Sequence, residues 1–246
     1  MIFYLLLVGF FAGFLGGLLG VGGGIIMVPS FYFLFGNMHA SVSTSVLSSV
    51  FFSLSATISY FLKGVRPVNL RNYLFLVLSA FFGSMLGVYL LKSVSSQDLK
   101  RFFAIFLTFV AIYLFVGGSK RVDSGEKKKN VSFSVFILIG FFAGFISAFF
   151  GVGGGIVMVP ALIYVGLSPI EAISTSIFTI PVVTLFSLTN YLLSGIYPKW
   201  IAIVTVVPAG ILGSNIGVRF AFSVSQILLR RLFALFIIVV VIRMLY

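Results

Sequence analysis

The chain alternates long apolar stretches with short polar or basic ones. In the first half, residues 41–62, 73–91 and 102–116 are predominantly apolar, and a similar order returns after residue 131. Since about 20 apolar residues cross the hydrocarbon core of a bilayer, each stretch predicts a transmembrane helix. A basic turn near residues 63–71 and a polar loop at 92–101 are predicted to separate these spans.

The first apolar stretch of each half is interrupted by Gly-Val-Gly-Gly-Gly. Residues 9–29 and 140–160 are identical at 15 of 21 positions, at a constant offset of 131 residues. Three successive glycines disfavour a continuous helix, because each costs about 0.8–1 kcal/mol relative to alanine. In lipid, non-helical backbone is tolerated only inside protein or beside a wet cavity. The pattern therefore predicts two broken helices that face a shared interior site.

Composition restricts the class of protein. The chain is 61% hydrophobic and 8% charged, whereas soluble domains carry about 25% charged residues. Its net charge of +12 comes from 16 Lys and Arg against 4 Asp and Glu. Because the basic residues lie between apolar stretches, they match cytoplasmic loops and anionic lipid headgroups rather than nucleic acid. We predict a multi-pass membrane protein.

The repeat divides the chain into two transmembrane halves, residues 1–116 and 131–246, joined by a basic cytoplasmic linker at 117–130. Each half is predicted to be all-α, with one broken or re-entrant segment and three spans. The halves are parallel if each broken segment crosses the membrane once, and inverted if it forms a hairpin. Inversion places 11 basic residues inside and 5 outside, against 10 and 6 for the parallel case, so the positive-inside rule favours inversion.

A candidate anion site combines helix starts with hydroxyl groups. A half-helix that begins after each break directs N–H groups and a positive dipole end at an anion, and Ser or Thr at the start of the next span donates without fixed charge. The alternatives are close helix packing, expected for Gly9 and Gly13, and hydroxyl bonds to the same helix. A polar amide inside a span faces either a partner helix or the cavity. The candidate substrate-binding residues are Gly22, Gly23, Gly24, Thr44, Ser45, Gly153, Gly154, Gly155, Thr175, Ser176 and Asn215.

Other residues have structural interpretations beside functional ones. Glu171 either completes a capping box with Ser168 or serves as a protonatable group that couples transport to protons. Tyr60 and Tyr191 lie near span ends and are predicted to be interfacial aromatics. The sequence has no cysteine and one histidine, so we expect no metal site, no cofactor and no enzymatic activity.

The repeated block resembles a known family. Two copies of Ala-Gly-Phe, Gly-Val-Gly-Gly-Gly and Val-Pro, in residues 12–29 and 143–160, each precede a helix start rich in Ser and Thr. They resemble the TauE/SafE family of sulfite exporters and toluene-sulfonate-uptake permeases over nearly the whole chain. The resemblance implies a plasma-membrane transporter of a small sulfur oxyanion or organic anion. We expect a carrier that works by alternating access; an anion channel is the alternative.

Overall fold

The computed structural model describes residues 1–116, 132–223, 235 and 237–244, which form helices joined by short turns and contain no β-strand. The helices are α1 (Ile2–Leu19), α2 (Gly24–Phe35), α3 (Met38–Leu62), α4 (Leu70–Ser93), α5 (Ser96–Val116), α6 (Phe133–Phe150), α7 (Gly155–Tyr164), α8 (Pro169–Leu193), α9 (Ile201–Phe220) and α10 (237–244). Six of them, α1, α3, α4, α6, α8 and α9, are long and apolar enough to cross a membrane. The predicted all-α polytopic membrane protein is confirmed, while the predicted linker at 117–130 lies outside the described residues.

Helices α3 and α4 begin three residues before the predicted spans. Asn37 and Asn69 cap these helices. Their side-chain oxygens accept the amide hydrogens of Ala40 and Asn72, respectively, each at 3.0 Å. Such a cap satisfies one of the amides that a helix start leaves without a partner. The helices therefore extend beyond their apolar cores, to the polar residues that end each turn.

The predicted polar loop at 92–101 is wrong. Helix α4 continues to Ser93 and α5 begins at Ser96, so only two residues separate them. The hydroxyl of Ser95 accepts the amide of Asp98 at 3.1 Å and donates to its carboxylate at 2.7 Å. This cap lets α5 start among polar residues, which an apolar pattern alone does not detect.

Small residues let two pairs of helices pack at backbone distance. A β-carbon placed on these glycines would overlap the facing backbone. Along α1 and α9 the contacts are Gly9 with Val206, Gly13 with Gly210 and Gly17 with Ser214. Along α6 and α4 they are Gly140 with Leu76 and Gly144 with Ala80. In both pairs the residue numbers rise together along the two helices, so the two helices of each pair are parallel. The predicted packing role of Gly9 and Gly13 is confirmed.

Helices α3 and α8 run in opposite directions. Thr44, near the start of α3, accepts the amide hydrogen of Lys199, which lies beyond the end of α8, at 2.9 Å. Thr175, near the start of α8, accepts the amide hydrogen of Val68, which lies beyond the end of α3, at 3.1 Å. The start of each helix therefore lies beside the end of the other.

Candidate functional site

Both Gly-Val-Gly-Gly-Gly segments break their helices where the sequence predicts. Helix α1 ends at Leu19 and α2 begins at Gly24, while α6 ends at Phe150 and α7 begins at Gly155. Six glycines of the breaks have φ between 69° and 82°, namely Gly20, Gly22, Gly23, Gly151, Gly153 and Gly154. This left-handed region costs other residues about 1–2 kcal/mol, which explains the composition of the breaks.

Each chain segment doubles back after its break. A β-carbon on Gly23 would lie 2.6 Å from the carbonyl oxygen of Ala12, and one on Gly154 would lie 2.6 Å from that of Ala143. The second arms have 12 and 10 residues, or about 18 and 15 Å, which is too short for a hydrocarbon core of about 30 Å. Each broken segment is therefore a hairpin whose second arm is shorter than the hydrocarbon core is thick.

The two breaks touch each other. A β-carbon on Gly22 would lie 3.0 Å from the Cα atom of Gly153, and the reverse distance is also 3.0 Å. A β-carbon on the first residue of either second arm would overlap a carbonyl oxygen of the opposite break, with Gly24 facing Gly151 and Gly155 facing Gly20. Two segments that are 131 residues apart in sequence thus form one buried site.

Serine hydroxyls of the neighbouring helices hold the breaks in place. Ser45 Oγ donates to the carbonyl oxygen of Gly151 at 2.7 Å, and Ser176 Oγ donates to that of Gly20 at 2.7 Å. From the sequence, each of these hydroxyls could donate either to a carbonyl of its own helix or to a bound anion. The structure gives these hydroxyls a third partner, the break in the opposite half of the chain.

The two threonines have different partners from the serines. Thr44 Oγ1 donates to the carbonyl oxygen of Ala40 in its own helix at 2.5 Å, which is the structural alternative, and also accepts the amide of Lys199. Thr175 accepts the amide of Val68. Both threonines therefore support the turns at the helix ends, and their contact with a substrate stays a prediction.

The amides at the starts of α2 and α7 are among the unsatisfied groups of the site. Neither helix has a side-chain cap. Gly24, Ile25, Gly155 and Ile156 are buried, and their N–H groups donate to no acceptor within the described part of the chain. Buried N–H groups without a partner are rare and costly. Since residues 20–25 and 151–156 carry no charged side chain, the charge that these segments offer to an anion is the partial positive charge of the helix starts.

Asn215 joins α9 to α3. Its Nδ2 atom donates to Ser55 Oγ and to the carbonyl oxygen of Ile211, each at 3.0 Å, and its Oδ1 atom accepts from Ser59 Oγ. The amide therefore faces a partner helix, one of its two predicted environments. A role in substrate binding stays a prediction.

Glu171 belongs to the capping box at the start of α8. Its carboxylate accepts the amide hydrogen of Ser168 at 3.1 Å, while Ser168 Oγ accepts the amide hydrogen of Glu171 at 3.4 Å. The structural interpretation of Glu171 is confirmed. A coupling role for the same carboxylate stays a prediction.

The predicted interfacial position of Tyr60 and Tyr191 is wrong. Both side chains are fully buried. The hydroxyl of Tyr60 donates to the carbonyl oxygen of Gly17 at 3.4 Å, and the hydroxyl of Tyr191 donates to that of Ala148. These carbonyls belong to the last turns of α1 and α6, where a helix leaves its acceptors without partners. The tyrosines therefore stabilise the helix ends that precede the breaks.

Ser49 is a residue of the site that the sequence analysis did not identify. Its Oγ atom donates to the carbonyl oxygen of Gly22 at 2.9 Å. The position equivalent to Ser49 in the second half is Ile180. A search for residues shared by the two repeats therefore misses it.

Two broken hairpins that meet inside a bundle of membrane-length helices define a polytopic membrane protein of transporter type, in which discontinuous helices form an internal site. The family profile described as sulfite exporter TauE/SafE matches residues 5–244. The chain belongs to this family, as the resemblance implied, and is a membrane transporter.

Three relatives illustrate the similarity. The probable membrane transporter protein YunE of Bacillus subtilis is 30% identical over 237 residues, covering 87% of this chain and 86% of its own length. A probable membrane transporter protein of Methanocaldococcus jannaschii is 32% identical over 193 residues, covering 76% and 71%. One of Xylella fastidiosa is 30% identical over 241 residues, covering 94% and 89%. The similarity thus extends over most of each protein.

Proposed function

We propose that the protein carries a small oxyanion across the plasma membrane by alternating access, with a sulfur oxyanion, an organosulfonate or a carboxylate as the substrate class. One observation carries the proposal: the uncapped starts of α2 and α7 leave buried amides without acceptors where the two breaks touch. Helix starts favour anions. Neutral donors bind an anion weakly enough to release it, which a transport cycle requires.

The directions of the helices support an inverted relation between the halves. The equivalent helices α3 and α8 are antiparallel, since each begins where the other ends. Helix α1 is parallel to α9, and its equivalent α6 is parallel to α4, the equivalent of α9. Inverted repeats let the halves exchange conformations around a fixed site, which is a basis of alternating access. The positive-inside rule then places the linker and the end of α3 in the cytoplasm.

Within this proposal the residues have distinct roles. The glycines of the two breaks shape the site, and the amides at the starts of α2 and α7 bind the anion. Ser45 and Ser176 fix each break to the opposite half. The hydroxyl groups of Ser45 and Ser176 already donate to carbonyl oxygens, so these two serines are not the donors to the anion.

Flux measurements test the function. Purified protein in liposomes should take up radiolabelled sulfite or sulfoacetate with saturation, and unlabelled anion inside the liposomes should accelerate that uptake, because a carrier exchanges its substrate across the membrane. A channel would give a conductance that rises linearly with anion concentration and shows no acceleration. Absence of flux for every sulfur oxyanion, sulfonate and carboxylate offered would contradict the proposal.

A further inference from the structure

Ser147 is the exception among the buried polar side chains. Its side chain is 0% exposed, and of all buried side-chain nitrogen and oxygen atoms in the described residues, its Oγ atom alone lacks a hydrogen-bond partner. Many other buried helical serines donate to a carbonyl of their own helix, as Ser48 does to Thr44 at 3.0 Å, and others donate to a carbonyl of a break, as Ser45 does to Gly151 at 2.7 Å. A buried hydroxyl without a partner is costly and points to a group that the protein itself does not supply.

The position of Ser147 relates it to the start of α7. Its Cβ atom lies 3.3 Å from the place that a β-carbon would take on Gly154, the residue that caps this helix without a side chain. The equivalent position in the first half is Gly16, and a β-carbon there would lie 3.4 Å from the amide nitrogen of Gly23. The β-carbon of a side chain at this position therefore lies beside the glycine that immediately precedes the second arm of the hairpin.

We infer that Ser147 is a substrate-binding residue, whose hydroxyl donates a hydrogen bond to one oxygen of the anion while the amides of Gly155 and Ile156 hold the others. The inference rests on the proposed function and specifies its site. Two independent observations coincide here: buried amides without acceptors and a buried hydroxyl without an acceptor. An oxyanion is the ligand class that satisfies both, because it offers several acceptors and no donors.

The site is therefore asymmetric. The first break has Gly16 where the second has Ser147, so the additional donor exists only beside α7. The anion binds closer to α7 than to α2. An anion with at least two oxygens on one centre, such as a sulfite or a sulfonate group, uses the hydroxyl and the amides together.

The test compares Ser147→Ala and Ser147→Gly with the wild-type protein in liposomes, using radiolabelled sulfite and sulfoacetate. Loss of a hydrogen bond to a charged group should raise KM about tenfold or more, with the maximal rate much less affected. The stabilisation of purified protein by the same anions, measured as a shift in melting temperature, should fall in parallel. Ser84→Ala is the control, because Ser84 is equally buried and donates to Phe81 of its own helix at 2.8 Å.

A second variant moves the hydroxyl to the other break. A β-carbon on Gly16 would lie at ordinary van der Waals distance from its neighbours, 3.4 Å or more, so Gly16→Ser combined with Ser147→Gly should recover part of the lost affinity. An unchanged KM and an unchanged anion-induced shift in both Ser147 variants would overturn the inference and leave the proposed function intact; a buried water molecule bonded to Ser147 would give this result. If the wild-type protein neither transports nor is stabilised by any anion offered, both proposals fail.

Discussion

Ser45 and Ser176 each satisfy a carbonyl oxygen of a break that no helix can satisfy. We expect Ser45→Ala and Ser176→Ala to destabilise the protein by about 1 kcal/mol each, because a buried acceptor then loses its donor. Interhelical hydrogen bonds in membranes contribute amounts of this order. Thermal unfolding in detergent should show a similar decrease in melting temperature for both variants.

Ser48→Ala is the matched control for this loss. Ser48 lies on the same helix as Ser45 and is equally buried, but its hydroxyl donates to Thr44 of its own helix. Its removal leaves no break carbonyl without a partner, so the melting temperature should change less. If Ser48→Ala and Ser45→Ala prove equally stable, the bond to Gly151 does not stabilise the break.

The proposed anion site at the starts of α2 and α7 depends on backbone N–H groups. Proline removes one such group, and the first turn of a helix tolerates proline. Ile25→Pro and Ile156→Pro should each raise KM for sulfite by about 10- to 100-fold, the equivalent of one hydrogen bond to a charged group. Flux in liposomes at varied sulfite concentration measures this change.

Two controls separate the lost amide from other effects. Ile25→Val shortens the buried side chain but keeps the N–H group. Leu70→Pro places a proline at the first position of α4, where the side chain is 72% exposed. Both should retain the KM of the wild-type protein. Folded Ile25→Pro and Ile156→Pro proteins with a normal KM would show that these amides do not bind the anion.

Leucine at Gly23 or Gly154 is a poor test of the same helix starts. Both glycines have positive φ, and a β-carbon on either would press against the carbonyl oxygen of Ala12 or Ala143. A loss of transport in these variants would report a disrupted hairpin. Proline at position 25 or 156 removes an amide donor while leaving Gly23 and Gly154 in place.

The helix breaks could be predicted from a local pattern, because three successive glycines disfavour a continuous helix at the positions where they occur. The start of α5 was missed although its signal is also local: Ser95 and Asp98 form a cap within a polar stretch. The bond from Ser45 to Gly151 joins residues 106 positions apart, and no local pattern encodes such a contact. Ser147 was missed for another reason, since a repeat draws attention to residues that both halves share.

Across the whole molecule, the proposed inverted relation of the halves predicts the side of the membrane on which equivalent residues lie. Lys63 and Ser194 follow α3 and α8, respectively, and are 131 residues apart. Because the chain has no cysteine, Lys63→Cys and Ser194→Cys each introduce a single thiol. A membrane-impermeant maleimide should label Ser194→Cys in intact cells, and Lys63→Cys only after the cells are opened.

Ser223 supplies the control for this topology. Ser223 is exposed and follows α9, which is parallel to α1. The end of α9 lies beside the end of α3, because Lys63 Nζ donates to the carbonyl oxygen of Val218 at 3.4 Å. Ser223→Cys should therefore label together with Lys63→Cys. Labelling of the Lys63 and Ser194 positions from the same side would mean that the halves are parallel. The two breaks would then not exchange roles when the site opens to opposite sides, and the proposed alternating-access cycle would lose its structural basis.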